Sequence, residues 1–452
     1  MHRNGEILSY IIKDLDRIVT MDPDNTIYEN KSIAISEDRI VDIGDFSKLR
    51  KKWKGFEIIE GKNKIAIPGL IDLHGHSTQS FLKGLLEGQP LMPWLANLIE
   101  IDSLMDDEMR KLGIQLTFLE KLRYGVTTSL DMERCVELVV EEAKRFGLRL
   151  IEAGVLSDTE ELPYSGLRKF ADVDEEVKLA KEWYKKYNGL NNGLIEIFFG
   201  PVGFPASSPE LLKRVAEEAR LMNVKIHAHG AEGWVTPELA KRIHGMREIE
   251  LLEKIGFLGP DVILAHVVQV NDYELQILSK YRTSVAHCPS SNAKLGHGIA
   301  RIAEMVWHNV PVGIGCDGAA SNNSQDLFFE MKIASLMQKA RLKNAAILPA
   351  KKILEMVTIT GAKILGKDKL IGSIEKNKKA DIVLINWKKP NLIPLKNIIS
   401  HLVYNTNGND VDTVIIDGKI VLENGDFKIP VDIEEIYRKA ESKYAELESK
   451  IF

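Results

Sequence analysis

Pro68–His76 reads PGLIDLHGH, and this stretch decides the fold. Its apolar run GLIDL has the length of a buried strand, and it closes on His74 and His76. In a strand, side chains two residues apart point to the same side, so both imidazoles can reach one metal ion. Seven further apolar runs follow in chain order: GVTTSLDM, LRLIEAGVL, LIEIFFGPV, VKIHAHG, VILAHVV, TSVAHCP and VPVGIGCDG. Amphipathic helical stretches separate them, including a long helix expected at Pro209–Met222. Eight strand-like runs alternating with helices predict an α/β chain with a (β/α)8 TIM barrel at residues 66–366. Such barrels place reactive side chains at the carboxyl ends of their strands.

Outward from the barrel the texture changes. From Ile7 to about Lys64, segments such as SIAISEDRIVDIG alternate apolar and polar residues with the two-residue period of half-buried strands. The same texture returns in KKADIVLINW (Lys378 to Trp387) and DTVIIDGKIVLENGDF (Asp412 to Phe427), where Asp-Gly and Asn-Gly supply hairpin turns. Residues 1–65 and 367–430 are therefore expected to build one small β-sandwich domain from both chain ends. Residues 431–452, charged and helical in period, are expected to form an exposed C-terminal helix without chemistry.

Composition narrows the function. Hydrophobic residues make up 44% and charged residues 28% of 452 residues, with a formal net charge of -5. That is an ordinary soluble balance, and it offers no basic footprint for nucleic acid. Cys135, Cys288 and Cys316 are widely spaced, without the pairing that marks a disulfide framework or a thiolate metal site. Charges interrupt the amino-terminal segment MHRNGEILSYIIKDLDRIVT, and no long uncharged apolar stretch follows. The expectation is a cytoplasmic protein, off the membrane, whose partners are a small-molecule substrate and, at most, further copies of itself in a homo-oligomer.

Of the 11 histidines, six fall at the ends of strand runs. His227 and His229 repeat the spacing of His74 and His76, His266 ends the sixth run and His287 the seventh, while Asp317 ends the eighth. Neutral imidazoles with one carboxylate form a donor set suited to Zn²⁺ or Fe²⁺ with a position left for water. His2, His244, His297, His308 and His401 lie off this pattern and are given no metal role. Glu232, in HGAEGW, lies just beyond the His229 strand. It is a candidate proton carrier, although a glutamate opening the next helix near its positive end reads the same way. Trp94, in GQPLMPWLANL, is a candidate aromatic pocket wall or else a core residue of the following helix. Gln79, three residues past His76, is a candidate polar contact to substrate.

PGLIDLHGH, HAHGAE (His227 to Glu232), LAHVVQVND (Leu264 to Asp272), AHCPSSNAKLGHGIA (Ala286 to Ala300) and GCDGAASNNSQDLFFEM (Gly315 to Met331) together resemble the amidohydrolase superfamily, in its order. The likeness covers nearly the whole chain and is strongest to the mononuclear deaminase and chlorohydrolase branch, which includes methylthioadenosine/S-adenosylhomocysteine deaminases, guanine deaminases and s-triazine hydrolases. The resemblance implies a single divalent metal, zinc before iron, held by His74, His76, His229 and Asp317. It makes Glu232, His266 and Asp317 the catalytic residues and His227 a supporting one. Relatives with two metals often bridge them with a lysine at the end of the fourth strand, and LIEIFFGPVG has none.

The activity implied is hydrolytic deamination of an amino-substituted nitrogen heterocycle of purine, pterin or triazine type. Chlorohydrolase or cyclic-amide chemistry, methylthioadenosine/S-adenosylhomocysteine deamination, and a non-catalytic barrel scaffold are the alternatives. The branch acting on methylthioadenosine usually carries G-P-H-x-P-Y after the fourth strand, where this chain reads GPVGFPASS, with Val202 in place of the histidine. An arginine that follows the third strand in that branch is matched here to Ala153. Both departures imply that methylthioadenosine and S-adenosylhomocysteine are poor substrates.

Overall fold

The alternating amino-terminal segment forms β1 (Ser9–Val19), β2 (Ile27–Ser36), β3 (Arg39–Gly44), β4 (Glu57–Glu60) and β5 (Lys64–Pro68) in the computed structural model, which describes residues 9–162 and 166–451. Residues 1–8 of the expected first segment lie outside the described residues. Since β5 runs through Pro68 and pairs with β1, we propose that this segment extends past residue 65 to the start of the barrel.

All eight expected barrel runs are strands. They are β6 (Leu70–Gly75), β7 (Val126–Asp131) and β8 (Arg149–Leu156); a hairpin of β9 (Thr159–Leu162) and β10 (Gly166–Lys169); then β11 (Ile195–Pro201), β12 (Ile226–Gly230), β13 (Val262–His266), β14 (Ser284–His287) and β15 (Val312–Ile314). Leaving out the hairpin, they pair in parallel in the order β15-β14-β13-β12-β11-β8-β7-β6. Both ends of that path meet at glycine. A side-chain carbon at Gly315 would come within 2.8 Å of the His74 backbone nitrogen, so only glycine lets the eighth strand approach the first. The Asp317 N–H then donates to the His74 carbonyl at 2.9 Å. Ile71, Leu73, Leu130, Met132, Ile151, Ala153, Phe198, Ile263 and Ala286 belong to one buried cluster, a packed core rather than a pore.

The returning segment adds β16 (Ile382–Asn386), β17 (Val411–Ile416), β18 (Lys419–Glu423) and β19 (Asp426–Phe427). Asp417–Gly418 and Asn424–Gly425 take positive φ at both residues, as the expected hairpin turns require. The two chain ends join where β16 pairs antiparallel with β5, giving the expected terminal β-domain as one nine-stranded mixed sheet in the order β19-β18-β17-β16-β5-β1-β2-β3, with β4 on β1. Tyr10, Ile12, Ile33, Ile35, Ile382, Leu384 and Ile415 form its buried core. Arg149, at the start of β8, fastens barrel to sheet through two bonds to the Asp381 carboxylate, at 2.8 and 3.0 Å, and one to Asp417 at 3.3 Å. Arg149 sits at the start of its barrel strand, which leaves the opposite barrel-strand ends to the histidines.

The C-terminal helix, Ile433–Ile451, is amphipathic rather than simply exposed. It buries Ile436, Ala440 and Leu447 and sets Tyr444 against Phe81. No helix of the described residues is long and apolar enough to cross a membrane.

Candidate active site

The histidines at the strand ends converge, and their backbone partners fix which nitrogen each one presents. A carbonyl can only accept, so the His227 Nδ1, 3.1 Å from the Ile263 carbonyl, carries the proton. Burial holds His227 neutral, with its pKa lowered to about 3, so its Nε2 is bare and accepts from His74 Nδ1–H at 2.8 Å. Burial also pushes His74 well below the usual imidazole value, which leaves a lone pair on its Nε2. That atom is buried without a hydrogen-bond partner and lies 3.4 Å from Asp317 Oδ1.

His76 and His229 are oriented by the same device. His76 donates Nδ1–H to the Met132 carbonyl at 2.8 Å, and His229 donates to the Val202 carbonyl at 2.7 Å. Their rings stack 5.4 Å apart, with the two Nε2 atoms 3.3 Å from each other. Two bare nitrogens at that distance repel unless a cation or proton lies between them. Burial takes His229 well below the ordinary value. For His76 burial acts the same way, but the Asp317, Glu133 and Asp131 carboxylates outweigh it and the pKa rises. His74, His76 and His229 thus bring three ligand nitrogens within 4.8 Å of one another. An N–H aimed at a fixed acceptor behind each metal-facing imidazole, a carbonyl for His76 and His229 and the His227 ring for His74, is the usual support of a bound divalent metal, so the residues fit one.

Asp317 lies past the end of β15, not on it, with φ 67°. Its Oδ1 is also 3.7 Å from His76 Nε2, and it accepts from the Gly318 N–H at 2.7 Å. Its Oδ2 accepts from the Ser291 and Ser321 hydroxyls at 2.6 and 3.0 Å. Burial would raise this carboxyl, but His74 beside it and the surrounding imidazoles hold it well below the usual carboxylate range. Behind it, Asp72 binds the Cys316 N–H at 2.9 Å and the buried Lys121 ammonium at 3.0 Å, tying β6 to the segment that carries Asp317.

A second trio, His74, His266 and Cys288, is also close enough to hold an ion. Burial keeps the Cys288 thiol protonated, however, and metals bind the thiolate. The first trio, with its carboxylate neighbour, is the better site.

His266 Nδ1 meets the Asn292 side-chain oxygen at 2.9 Å, and its Nε2 lies 3.7 Å from Glu232 Oε1. The Asn292 amide nitrogen has no partner in this orientation. Turning the amide would donate to Nδ1 and move the ring proton to Nε2, facing Glu232. Glu232 itself follows Ala231, whose φ of 45° ends β12 sharply. Gly203 permits the neighbouring loop, because a side-chain carbon there would fall 2.4 Å from the His229 carbonyl oxygen.

A cleft of about 490 Å³ opens beside His76, lined by Thr78, Gln79, Leu98, Arg110, Met132 and Glu133 among others. Gln79 packs against Gly318, next to Asp317, and its side-chain oxygen is buried without a partner. Trp94, in the helix Leu91–Ser103, packs in the main hydrophobic core and is not among the residues lining that cleft. Its indole N–H has no partner. Ala153 requires a correction, since it is fully buried inside β8 rather than following it. An arginine placed after the third strand would fall beyond Leu156, so the match to Ala153 is withdrawn. Val202 stands at the expected place after β11, where its carbonyl anchors His229.

Several residues of the site escaped the sequence reading. Ser291 and Asn292 lay in a motif quoted above, beside His287, and adjacency to a strand-end histidine was a usable signal. Ser321 lay likewise just past Asp317 in its motif, whereas Glu133 had no such signal. His297, set aside because it ends no strand, comes within 3.7 Å of Glu232.

Comparison with known proteins gives the family. The amidohydrolase family profile matches residues 65–421. The chain is 36% identical to a 5-methylthioadenosine/S-adenosylhomocysteine deaminase of Clostridium tetani, over 93% of this chain and 95% of that protein. It is also 36% identical to a 5'-deoxyadenosine deaminase of Methanobrevibacter smithii, covering 92% and 93%. Among solved structures, an adenosine deaminase from Xanthomonas campestris with bound zinc superposes with a TM-score of 0.91 at 26% identity, covering 97% and 98%.

Proposed function

The chain belongs to the amidohydrolase family, and from that premise we propose that it is a zinc-dependent hydrolytic deaminase of an amino-substituted purine. The observation that carries this reading is the convergence of three oriented imidazoles, His74, His76 and His229, and an ionised Asp317 beside Glu232 and His266. We assign the metal to His74, His76, His229 and Asp317. With no lysine on β11, a single ion is the economical reading. A bound divalent metal would lower the pKa of its water from 15.7 to about 7, supplying a nucleophile at neutral pH.

The side chains supply the rest. The water oxygen bonds to the ring carbon that bears the amino group, and Asp317 takes the proton released. Glu232, protonated, gives its proton to the adjacent ring nitrogen, so no charge accumulates on the ring. His266 hydrogen-bonds the attacking oxygen. On collapse the carbon–nitrogen bond breaks. The new hydroxyl returns a proton to Glu232 as it becomes a carbonyl, and Asp317 hands its proton to the departing amine as ammonia. Gln79, packed against Gly318, is the proposed polar contact to substrate, while Trp94 keeps a core role in the helix Leu91–Ser103.

The relatives named as deaminases of 5-methylthioadenosine and 5'-deoxyadenosine favour a second reading, in which the purine carries its sugar. Val202, where the methylthioadenosine branch carries a histidine, sets the chain apart from that branch, since a hydrogen-bond partner lost there costs about 1–3 kcal/mol. Ammonia release from the zinc-loaded enzyme, measured over aminopurine bases, adenosine-type nucleosides, aminopterins and aminotriazines, separates the two. An aminopurine base is expected to be turned over best, with methylthioadenosine and S-adenosylhomocysteine below roughly 10⁴ M⁻¹s⁻¹ in kcat/KM. Faster turnover of either would establish the nucleoside reading, and no ammonia from any of them would remove the deaminase assignment.

A further inference from the structure

We propose that His297 is a positioning residue for Glu232, donating its Nδ1–H to Glu232 Oε1 and so holding the carboxyl group where it exchanges protons with the substrate ring. The inference rests on the reading of Glu232 as the proton carrier.

His297 is only 4% exposed, and neither ring nitrogen has a hydrogen-bond partner. An imidazole always carries at least one N–H, and leaving it unpaired in the interior costs about 1–3 kcal/mol. Its Nδ1 lies 3.7 Å from Glu232 Oε1, a gap that a small side-chain rotation closes. His266 Nε2 lies at the same 3.7 Å from the same oxygen, and the two rings stand 6.4 Å apart at 81°. The carboxyl oxygen is therefore flanked by two imidazoles, His266 from the metal cluster and His297 from the loop after the helix Pro289–Lys294. His287 shares the burial and the unpartnered nitrogens, but among the described residues it approaches no carboxylate closely.

The backbone fixes this arrangement. The His297 N–H donates to the Asn292 carbonyl at 2.9 Å, and Asn292 also orients His266. Gln269 donates through its side chain to the His297 carbonyl at 2.5 Å and through its backbone N–H to the carbonyl of Ala231, the residue before Glu232, at 2.9 Å. The two loops are thus tied at a fixed spacing. The ring packs close beside Gly233, where a side-chain carbon would lie at an ordinary 3.6 Å from His297 Cδ2 but crowd Leu91 at 3.1 Å. A carboxyl on a loop, free about its side-chain bonds, gains from a second tether, because a misplacement of ~1 Å at a reacting group can cost about 10²-fold in rate.

Four measurements test this. His297→Ala is expected to keep its zinc and its KM and to lose about 10–100-fold in kcat. His297→Asn, which restores an N–H at a similar reach, should recover most of that loss. In a Glu232→Gln background, adding His297→Ala should change nothing further, since the residue acts through Glu232. A multiplicative further loss, or a change in KM alone, would overturn the proposal in favour of direct substrate contact. One readout needs no substrate. In the zinc-loaded enzyme with 15N-labelled histidine, the ring N–H signal that disappears in His297→Ala should shift in Glu232→Ala. An unmoved signal would overturn the proposal even if the deaminase reading stands, and a moved one would support it even if that reading fails.

Discussion

His229→Ala and Asp317→Ala should each lose bound zinc and hydrolysis together, with turnover falling by more than about 10⁴-fold. The site offers four protein donors and must also keep a position for water, so deleting one removes a quarter of the protein's hold on the ion. His229 cannot be replaced by a neighbour, because His227 points its bare nitrogen at His74 and is already committed. Removing Asp317 also takes the one carboxylate out of the proposed donor set and leaves the Ser291 and Ser321 hydroxyls without their acceptor. Folding should survive in both variants, since the barrel core is apolar and distinct from these side chains, and circular dichroism with elemental analysis on the same sample checks it. Full zinc occupancy in either variant would defeat the ligand assignment.

Glu232→Gln should behave differently, retaining zinc while losing about 10²–10⁴-fold in kcat, the usual contribution of a positioned proton donor. The amide is nearly the same size and can still accept from a neighbouring N–H, so binding should be little changed. It cannot carry a proton to the ring nitrogen. The contrast with His229→Ala is the informative part, because a residue that merely shaped the pocket would alter KM and leave kcat intact. Wild-type turnover in Glu232→Gln would move the proton carrier elsewhere.

Strand periodicity made the barrel legible. PGLIDLHGH and VKIHAHG carry a two-residue period with histidines at the exit, and barrel strands expose their reactive groups there and nowhere else along their length. The Asp-Gly and Asn-Gly turns were equally readable, because few dipeptides accept positive φ at both positions. Contacts made by backbone atoms were not readable. The carbonyls of Met132, Val202 and Ile263 choose the tautomers of His76, His229 and His227, yet any residue supplies a carbonyl. Nor does sequence reveal that Arg149 and Asp381, more than two hundred positions apart, meet to fasten the barrel to the terminal sheet. His297 was missed for a related reason: it sits on a loop whose position depends on Gln269 and Asn292, not on any strand period. The match of Ala153 to a residue following the third strand failed because alignment outside the motifs carries no register, whereas the strand itself runs on to Leu156.

The central claim is that one metal, held by these residues, makes the chain a deaminase. The direct measurement is ammonia release from an aminopurine by enzyme stripped with a chelator and then titrated with zinc. Activity should be absent from the stripped enzyme and should rise linearly to a plateau at one zinc per chain. Full activity without metal, or a plateau reached only at two ions per chain, would contradict the account.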